Sequence, residues 1–396
     1  MPAHILIGGG GIAGLASALA LARHGHRIDV LEQAAAFGEI GAGVQLGPNA
    51  TRRLQALDLG NALAAVAARP DALVVRNASS LAELARLPLG DAMARRYGAP
   101  YCCVHRADLH ALLLGAVRAR AGCDVTLSTE ARIVDAATTD ALIRASSADA
   151  RAWEGDALIG ADGLWSIVRA QLEPDNATPP RSTGHTAWRA LVGQSALPAA
   201  LRNSKRVDVW LGPRLHAVAY PVMGGDALNV VVVAESAPAG DARDWDQASS
   251  LAALQRAAGR TGAALQALLE AMPSWRAWSL NDRAPLNSAE GMARGRVALV
   301  GDAAHPMLPY LAQGAGMAIE DAVALAEALG DAGPAAVPDA FRSYAATRWQ
   351  RNAQVQARAR RNGAIFHATG LLRLGRDTAL RLLGKRLLDS PWLYGA

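Results

Sequence analysis

The chain has 396 residues, of which 51% are hydrophobic and 19% charged. This length supports two domains or one large composite, and the composition is that of a globular protein without low-complexity tracts. The net charge of +5 comes almost wholly from arginine, because Lys205 and Lys385 are the only lysines. So few lysines argue against Schiff-base chemistry, and no nucleic-acid-binding motif accompanies the charge, so no nucleic-acid partner is expected.

The first predicted unit is a βαβ arrangement over residues 4 to 32. Ile5 to Gly8 is expected to form a short buried strand and Ala13 to His24 a helix that stops at Gly25. Arg27 to Leu31 then forms a second apolar strand.

The same stretch contains eighteen uncharged residues, from Ile5 to Ala22, which raises the question of export or membrane insertion. No basic segment precedes it, and the glycines from Gly8 to Gly11 oppose a spanning helix, so neither is expected. Three cysteines, Cys102, Cys103 and Cys123, form a poor disulfide framework, which favours a cytoplasmic protein.

The remaining elements follow in chain order. The pattern over 125 to 146 predicts a β-meander, and the segment "DALIGADG" that follows it predicts a strand. Pro174, Pro179 and Pro180 mark a boundary. Beyond it we expect strands over 185–234, a helix over 248–272, a return to a buried strand and turn at 295–305, a helix over 315–330, and mostly helix over 338–396.

A glycine fingerprint lies between the first strand and the first helix. Gly9, Gly11 and Gly14 form a GxGxxG, which allows a tight turn and close approach of the backbone to a pyrophosphate at the helix N-terminus. Glu32 follows Gly14 by 18 residues, at the end of the second strand, where a carboxylate can bind a ribose diol. The chain is therefore predicted to bind a dinucleotide.

Two later motifs extend this prediction through a resemblance. Asp162-Gly163 lies in "DALIGADGLWSIVR", and Gly301-Asp302 lies in "GRVALVGDAAHPMLPYLAQGAGMAIEDAVALAEAL". With the glycine fingerprint, they resemble the three signatures of the FAD-dependent aromatic hydroxylases, the single-component flavoprotein monooxygenases. The resemblance covers essentially the whole chain. The segments 38–60, 101–113, 215–222 and "DSPWLYGA" are most similar to 3-hydroxybenzoate 6-hydroxylases, with salicylate and 6-hydroxynicotinate hydroxylases close behind. Residues 282–297 depart from the pattern, because the family's tryptophan before Gly-Arg-Val is missing.

The resemblance implies an α/β fold in which a Rossmann-like FAD-binding domain with a β-meander is interleaved with a β-sheet substrate domain and followed by a helical C-terminus. The implied boundaries are 1–70, 98–175 and 281–340 for the FAD-binding domain, 71–97 and 176–280 for the substrate domain, and 341–396 for the C-terminal helices.

The resemblance also assigns FAD contacts. Asp302 would bind a ribityl or ribose hydroxyl, although an N-cap role is the alternative. The turn that opens a helix at Gly314, Ala315 and Gly316 would present amides to the reduced flavin. Arg106 would lie near the flavin and pyrophosphate, or be only a solvated helix start. Asp162 would help to bind cofactors, or only form a turn with Gly163.

For the reaction, the resemblance implies reduction of FAD by NADH or NADPH and attack on an electron-rich ring by a flavin C4a-hydroperoxide formed with O2. The substrate would be a small phenolic aromatic acid. Strand alternation places His216 and Tyr220 on one face, so His216 could accept the phenolic proton and Tyr220 could donate a hydrogen bond to the substrate. Gln313 joins them by resemblance, and Pro309 and Tyr310 would shape the pocket.

Several alternatives stay open. The product could be 2,5-dihydroxybenzoate from 3-hydroxybenzoate, or the reaction could be a salicylate 1-hydroxylation or a 6-hydroxynicotinate 3-hydroxylation. The chain could also be a non-catalytic FAD-binding protein, which is a different class of function. In that case or otherwise, His216 could be purely structural. No metal ligation is indicated. The protein could be a monomer or a homodimer. The basic C-terminal segments could face nucleic acid or anionic lipid, although helices with solvated arginines are the commoner explanation.

Overall fold

The computed structural model describes residues 1–38, 41–120, 125–139, 141–172, 179–237 and 240–395. Its strands are β1 (His4–Gly8), β2 (Arg27–Leu31), β3 (Gly43–Leu46), β4 (Ala72–Asn77), β5 (Glu83–Pro88), β6 (Cys102–His105), β7 (Val125–Ser128), β8 (Ile133–Thr138), β9 (Ile143–Ser147), β10 (Ala152–Gly155), β11 (Ala157–Gly160), β12 (Arg181–Gly193), β13 (Arg206–Gly212), β14 (Leu215–Val222), β15 (Ala227–Glu235), β16 (Gln247–Ser249), β17 (Trp275–Asp282), β18 (Ala293–Arg294) and β19 (Val297–Leu299).

The α-helices are α1 (Ile12–Ala22), α2 (Pro48–Ala56), α3 (Gly60–Val66), α4 (Gly90–Tyr97), α5 (Arg106–Ala119), α6 (Ile167–Leu172), α7 (Leu251–Ala258), α8 (Ala263–Glu270), α9 (Gly314–Leu329), α10 (Val337–Phe366), α11 (Gly370–Leu383), α12 (Lys385–Leu388) and α13 (Pro391–Tyr394). Short 3-10 turns include Gly301–Ala303 and Pro309–Leu311. No helix in the described ranges is long and apolar enough to cross a membrane.

The first sheet is built around the N-terminal strand. Its order is β18-β19-β11-β1-β2-β7, and every neighbouring pair is parallel except β18 with β19. Strand β1 is an almost continuous apolar run because helices cover the sheet, and α1 packs against both α5 and α9. The predicted βαβ unit and the Rossmann-like α/β fold are thereby confirmed.

The meander differs from the prediction at its first strand. Val125–Ser128 does not belong to it but pairs in parallel with β2 at the edge of the first sheet. The meander consists instead of β8, β9 and β10, which pair antiparallel. Alternation of side chains alone does not distinguish a sheet-edge strand from a meander strand, because both have one exposed face.

A second, eight-stranded sheet lies beside the first, in the order β16-β17-β12-β15-β14-β13-β4-β5. All its pairs are antiparallel except β13 with β4, so the early strands β4 and β5 join strands from the middle of the chain. The helix expected over 248–272 is two helices, separated at Gly259, which has a φ of +67°. The domain boundaries stay a prediction, and Pro174 lies outside the described residues.

The C-terminal region after α9 is helical, and α10 runs for 30 residues. The α10 helix packs on α9 and on β18, which ties the end of the chain to the first sheet. Cys102 and Cys103 are buried free thiols, and Cys123 lies outside the described residues.

Candidate active site

A cavity of about 320 Å³ lies where the two sheets meet. The glycine turn before α1 forms one side of it, the start of α9 another, and strands β14 and β15 a third. Of the predicted cofactor residues, those that line it are Gly11, Arg106, Asp302, Gly314 and Ala315. The cavity lining does not include Gly9, Gly14, Glu32, Asp162 or Gly316.

The glycine turn is shaped by two close approaches. Gly9 has a φ of +108°, and a Cβ there would lie 2.4 Å from the carbonyl oxygen of Ala161. A Cβ on Gly14 would lie 1.9 Å from the carbonyl oxygen of Gly9. Both positions therefore require glycine, which lets α1 begin directly beside β1. Gly11 then leads into α1 with no side chain capping the helix start.

Glu32 lies beside this turn. Its Oε2 accepts a hydrogen bond from the amide of Gly10 at 2.7 Å, and its Oε1 accepts one from the amide of Ala34 at 2.8 Å. The carboxylate therefore closes the turn, and its contact with a ribose stays a prediction. His110 supports the other side of Gly10, since its Nε2 lies 2.9 Å from the carbonyl oxygen of Gly10.

The second cofactor segment arrives late in the chain. Asp302 is the exposed residue of the otherwise buried turn after β19 and faces the cavity with Gly314 and Ala315. Helix α9 begins after Gln313 with no capping side chain. Gly316 packs within the protein instead, because a Cβ there would lie 3.3 Å from Ala50.

Arg106 and Asp162 have different surroundings. Arg106 begins α5, is half-buried and lines the cavity, with its guanidinium carbon 5.4 Å from the ring centre of Trp245. It is therefore not simply a solvated helix start. Asp162 caps α6: its carboxylate accepts hydrogen bonds from the hydroxyl of Ser166 and the amides at 167 and 168. Burial raises the pKa of Asp162, and its observed role is structural, while its neighbour Gly163 lines the cavity.

The wall opposite the glycine turn comes from the second sheet. His216, Val218 and Tyr220 of β14 all face the cavity, as the alternation predicts, and Val231 and Val233 of β15 lie beside them. Trp278 of β17 adds an aromatic ring. This wall is apolar apart from one imidazole and one phenol.

His216 is held from behind by a residue that the sequence did not reveal. Its Nδ1 lies 2.9 Å from Nε2 of His367, the residue after α10, and both histidines are buried. Burial lowers the pKa of His216 well below its usual value, and the nearby His367 and His185 lower it further, so His216 is neutral at neutral pH. Burial likewise lowers the pKa of His367 to about 3.

Pro309 lines the cavity, but Tyr310 does not. The ring of Tyr310 packs instead against His216, with ring centroids 5.2 Å apart, and against Phe366 at 6.4 Å. Tyr310 therefore packs against a residue that lines the cavity, and its role in shaping the substrate pocket stays a prediction. Adjacent residues of a 3-10 turn point in different directions, which explains why only one of the pair reaches the cavity.

Tyr220 and Gln313 are already engaged. The hydroxyl of Tyr220 donates to the carbonyl oxygen of Gly43 at 2.6 Å, so its proton is not available to a ligand while that bond persists. The Oε1 of Gln313 accepts a hydrogen bond from Asn49 at 3.0 Å. This bond leaves the two N–H groups of Gln313 as the part of its amide that can serve a ligand.

Behind the start of α9 lies a buried network of charges. Arg348 of α10 donates to Asp321 at 2.8 Å and to Glu320 at 2.7 Å. Burial alone would raise the pKa of Asp321, but His305 and Arg348 lower it to about 2. Asn49 connects this network to the cavity, since its Nδ2 also donates to Glu320 at 2.7 Å. His305 belongs to the same network, because its Nε2 is hydrogen-bonded to the carboxylate of Asp321.

The residues fit a flavin dinucleotide. Two helices, α1 and α9, begin at one cavity without capping side chains, so the backbone N–H groups of both first turns lack partners within their helices. Both helix dipoles favour negative charge there. FAD carries an anionic pyrophosphate and, when reduced, negative charge on the flavin ring. In the described ranges no group of three or more His, Cys, Asp and Glu side chains could hold a metal ion.

This fold and site define a flavoprotein, and the chain belongs to the FAD binding domain family, whose pattern matches residues 3–359. A 3-hydroxybenzoate 6-hydroxylase of Polaromonas naphthalenivorans is 38% identical over 99% of the chain and 95% of its own length. A 3-amino-4-hydroxybenzoate 2-monooxygenase of Streptomyces platensis is 38% identical over 99% of the chain and 95% of its own length. A salicylate hydroxylase substrate complex has a TM-score of 0.82 at 26% identity, covering 100% of this chain and 96% of that one.

These similarities establish the class of enzyme. The chain is an FAD-dependent monooxygenase that hydroxylates an aromatic compound.

Proposed function

We propose that the chain converts 3-hydroxybenzoate to 2,5-dihydroxybenzoate, with NADH or NADPH and O2 as co-substrates. The observation that carries this proposal is the wall of β14, which presents His216 and Tyr220 to the cavity in a chain 38% identical to a 3-hydroxybenzoate 6-hydroxylase. Bound FAD would supply the transfer of reducing equivalents from the nicotinamide and the activation of O2.

His216 would activate the aromatic ring. A phenol with a pKa near 10 is only about one part in a thousand ionised at pH 7, a deficit of about 4 kcal/mol. Because Nδ1 of His216 is bonded to His367, its Nε2 is the ring nitrogen left for the substrate. A neutral imidazole with its proton on Nδ1 can accept a hydrogen bond from the phenol at Nε2. Because the pKa of His216 is low, it would take the proton only as the ring is attacked and the phenol becomes more acidic.

Other side chains would orient the substrate. The N–H groups of Gln313 can donate to an oxygen of the aromatic acid. The hydroxyl oxygen of Tyr220 can accept a hydrogen bond while its own proton is donated to the carbonyl oxygen of Gly43. Val218, Val231, Val233, Trp278 and Pro309 provide apolar surface for the ring. The pocket therefore suits a small aromatic acid with one hydroxyl near His216.

A second candidate substrate is 3-amino-4-hydroxybenzoate. The relative named for that substrate matches this chain at the same identity, and over the same share of both chains, as the 3-hydroxybenzoate enzyme. Both compounds are phenolic acids, so the same imidazole can serve either.

The test is oxidation of NADH and of NADPH by the FAD-loaded protein with each of four acids, combined with product identification by mass spectrometry. The acids are 3-hydroxybenzoate, 3-amino-4-hydroxybenzoate, salicylate and 6-hydroxynicotinate, and benzoate, which lacks the phenol, is the control. We expect 3-hydroxybenzoate to give 2,5-dihydroxybenzoate in nearly equal amount to the nicotinamide oxidised. Another acid as the preferred coupled substrate, or oxidation that yields only hydrogen peroxide, would refute the assignment.

A further inference from the structure

Helix α10 contains six arginines, of which Arg342, Arg358 and Arg361 are exposed and three are buried or half-buried in ion pairs. Arg348 and Arg351 both bind Glu320, and Arg360 binds Asp282 at 2.5 Å. These ion pairs hold α10 against α9 and against β17 of the second sheet. The next helix, α11, instead exposes apolar side chains to solvent.

An exposed apolar surface covers one side of α11. We call it the leucine face, and it consists of Leu371, Leu372, Leu374, Leu382 and Leu383, which are 85, 78, 61, 78 and 46% exposed. At 100° per residue these positions span about half of the helix circumference. The residues between them on that side, Gly375, Thr378 and Ala379, are uncharged.

The other side of α11 is attached to the protein. Leu380 is buried, and Arg376 and Asp377 bind each other there. Asp377 also accepts a hydrogen bond from Asn77 at 2.9 Å. The leucine face is therefore held rigidly outward, and soluble monomers rarely expose a continuous apolar surface of this kind.

The charges around the leucine face have one sign. Arg381, Lys385 and Arg386 are exposed at the end of α11 and in α12, and Arg373 is half-buried. From residue 370 to 388 the only acidic residue is Asp377, which is buried and neutralised by Arg376. A helix with leucines on one face and flanking cations has the pattern of segments that lie in the interface of an anionic membrane.

We propose that the leucine face docks on an anionic lipid surface, with the leucines among the acyl chains and the flanking cations at the headgroups. This contact is peripheral and does not involve a spanning helix. The charges favour lipid over a second copy of the chain, because a symmetric pair would bring the same cations of both copies together. The docking is independent of the proposed substrate.

The experiment is co-sedimentation of the FAD-loaded full chain with vesicles of phosphatidylcholine alone or of equal parts phosphatidylcholine and phosphatidylglycerol. We expect binding to the anionic vesicles that weakens as salt is added. Replacement of Leu371, Leu372 and Leu374 together by glutamine should lower the partition coefficient at least about tenfold, and so should replacement of Arg381, Lys385 and Arg386 by glutamine.

Met223→Gln is the matched control, because Met223 is 42% exposed on another part of the surface, and its binding should be unchanged. All these variants change exposed side chains and should hydroxylate in solution at the wild-type rate. The proposal is overturned if the wild type ignores anionic vesicles or if the leucine variant binds as well. It is equally overturned if sedimentation shows a dimer that the leucine variant converts to a monomer, since a second copy then covers the face.

Discussion

Replacing Arg348 by methionine tests the buried charge network behind the start of α9. The guanidinium donates to Asp321 and Glu320 and also lies 3.1 Å from Oδ1 of Asn352. Glu320 would keep Arg351, which donates to it at 2.7 Å and 2.8 Å. Asp321 is fully buried and, among the described residues, would keep hydrogen bonds from the amide of Gly301, from Asn352 and with the ring of His305, but would lose its arginine. The variant therefore leaves a buried carboxylate short of its compensating charge.

The magnitude follows from the burial and the pKa. Removing one partner of a buried ion pair costs about 3–5 kcal/mol. Separately, the pKa of Asp321 lies at about 2 in the folded protein against 3.8 unfolded. This difference stabilises the wild type by about 2 kcal/mol above the unfolded pKa, and the contribution is lost as pH falls from 3.8 through 2. Without Arg348 the folded pKa of Asp321 rises, so the variant's deficit should shrink as the carboxyl is protonated.

The measurement is the free energy of unfolding in urea at pH 7 and at pH 4. We expect Arg348→Met to lose about 3–5 kcal/mol at pH 7 and distinctly less at pH 4. Arg342→Met is the control on the same helix, because its pair with Asp339 is about three-quarters exposed on both sides and should cost under about 1 kcal/mol. A loss below 1 kcal/mol at pH 7, or an equal loss at both pH values, would show that the network does not stabilise α9 as argued.

Three further predictions concern the site itself. His216→Gln should lower kcat/KM for the phenolic acid by about 10²–10³ at pH 7, and the rate should recover as pH rises and the phenol ionises unaided; a pH–rate profile matching wild type would contradict the role of His216. Gly14→Ala places a Cβ 1.9 Å from the carbonyl oxygen of Gly9, so the purified variant should lack the absorbance of bound FAD. Gly115→Ala is the control, because a Cβ there has no neighbouring atom within 4 Å, and this variant should retain the FAD absorbance. Tyr220→Phe should raise KM about tenfold without loss of FAD, and an unchanged KM would remove this hydroxyl from substrate binding.

The features that could be predicted from the sequence are those that local spacing encodes. The glycine turn at Gly9 and Gly14 and the shared face of His216 and Tyr220 follow from strand and helix periods. His367 could not be found this way, because it is 151 residues from His216 and no motif surrounds it. The charge network of Asp321 could not be predicted either. In the sequence its charged residues resemble those of ordinary solvated helices, and only the packing of α9 on α10 brings them together. The exposure of the leucines of α11 could not be predicted either, because only tertiary structure shows which way a helix face points.

The order of strands in the first sheet has a consequence for how the protein is made. The glycine turn leaves the ribosome at the beginning of synthesis, but β19 and the start of α9, which complete the cavity, are translated nearly three hundred residues later. Domains tend to fold as their residues emerge from the ribosome. Here the N-terminal part of the nucleotide site cannot be completed until β19 and the start of α9 have been synthesised. Flavin loading would therefore be a late event in biogenesis, and a ribosome stalled before residue 314 would carry a nascent chain that cannot retain the cofactor.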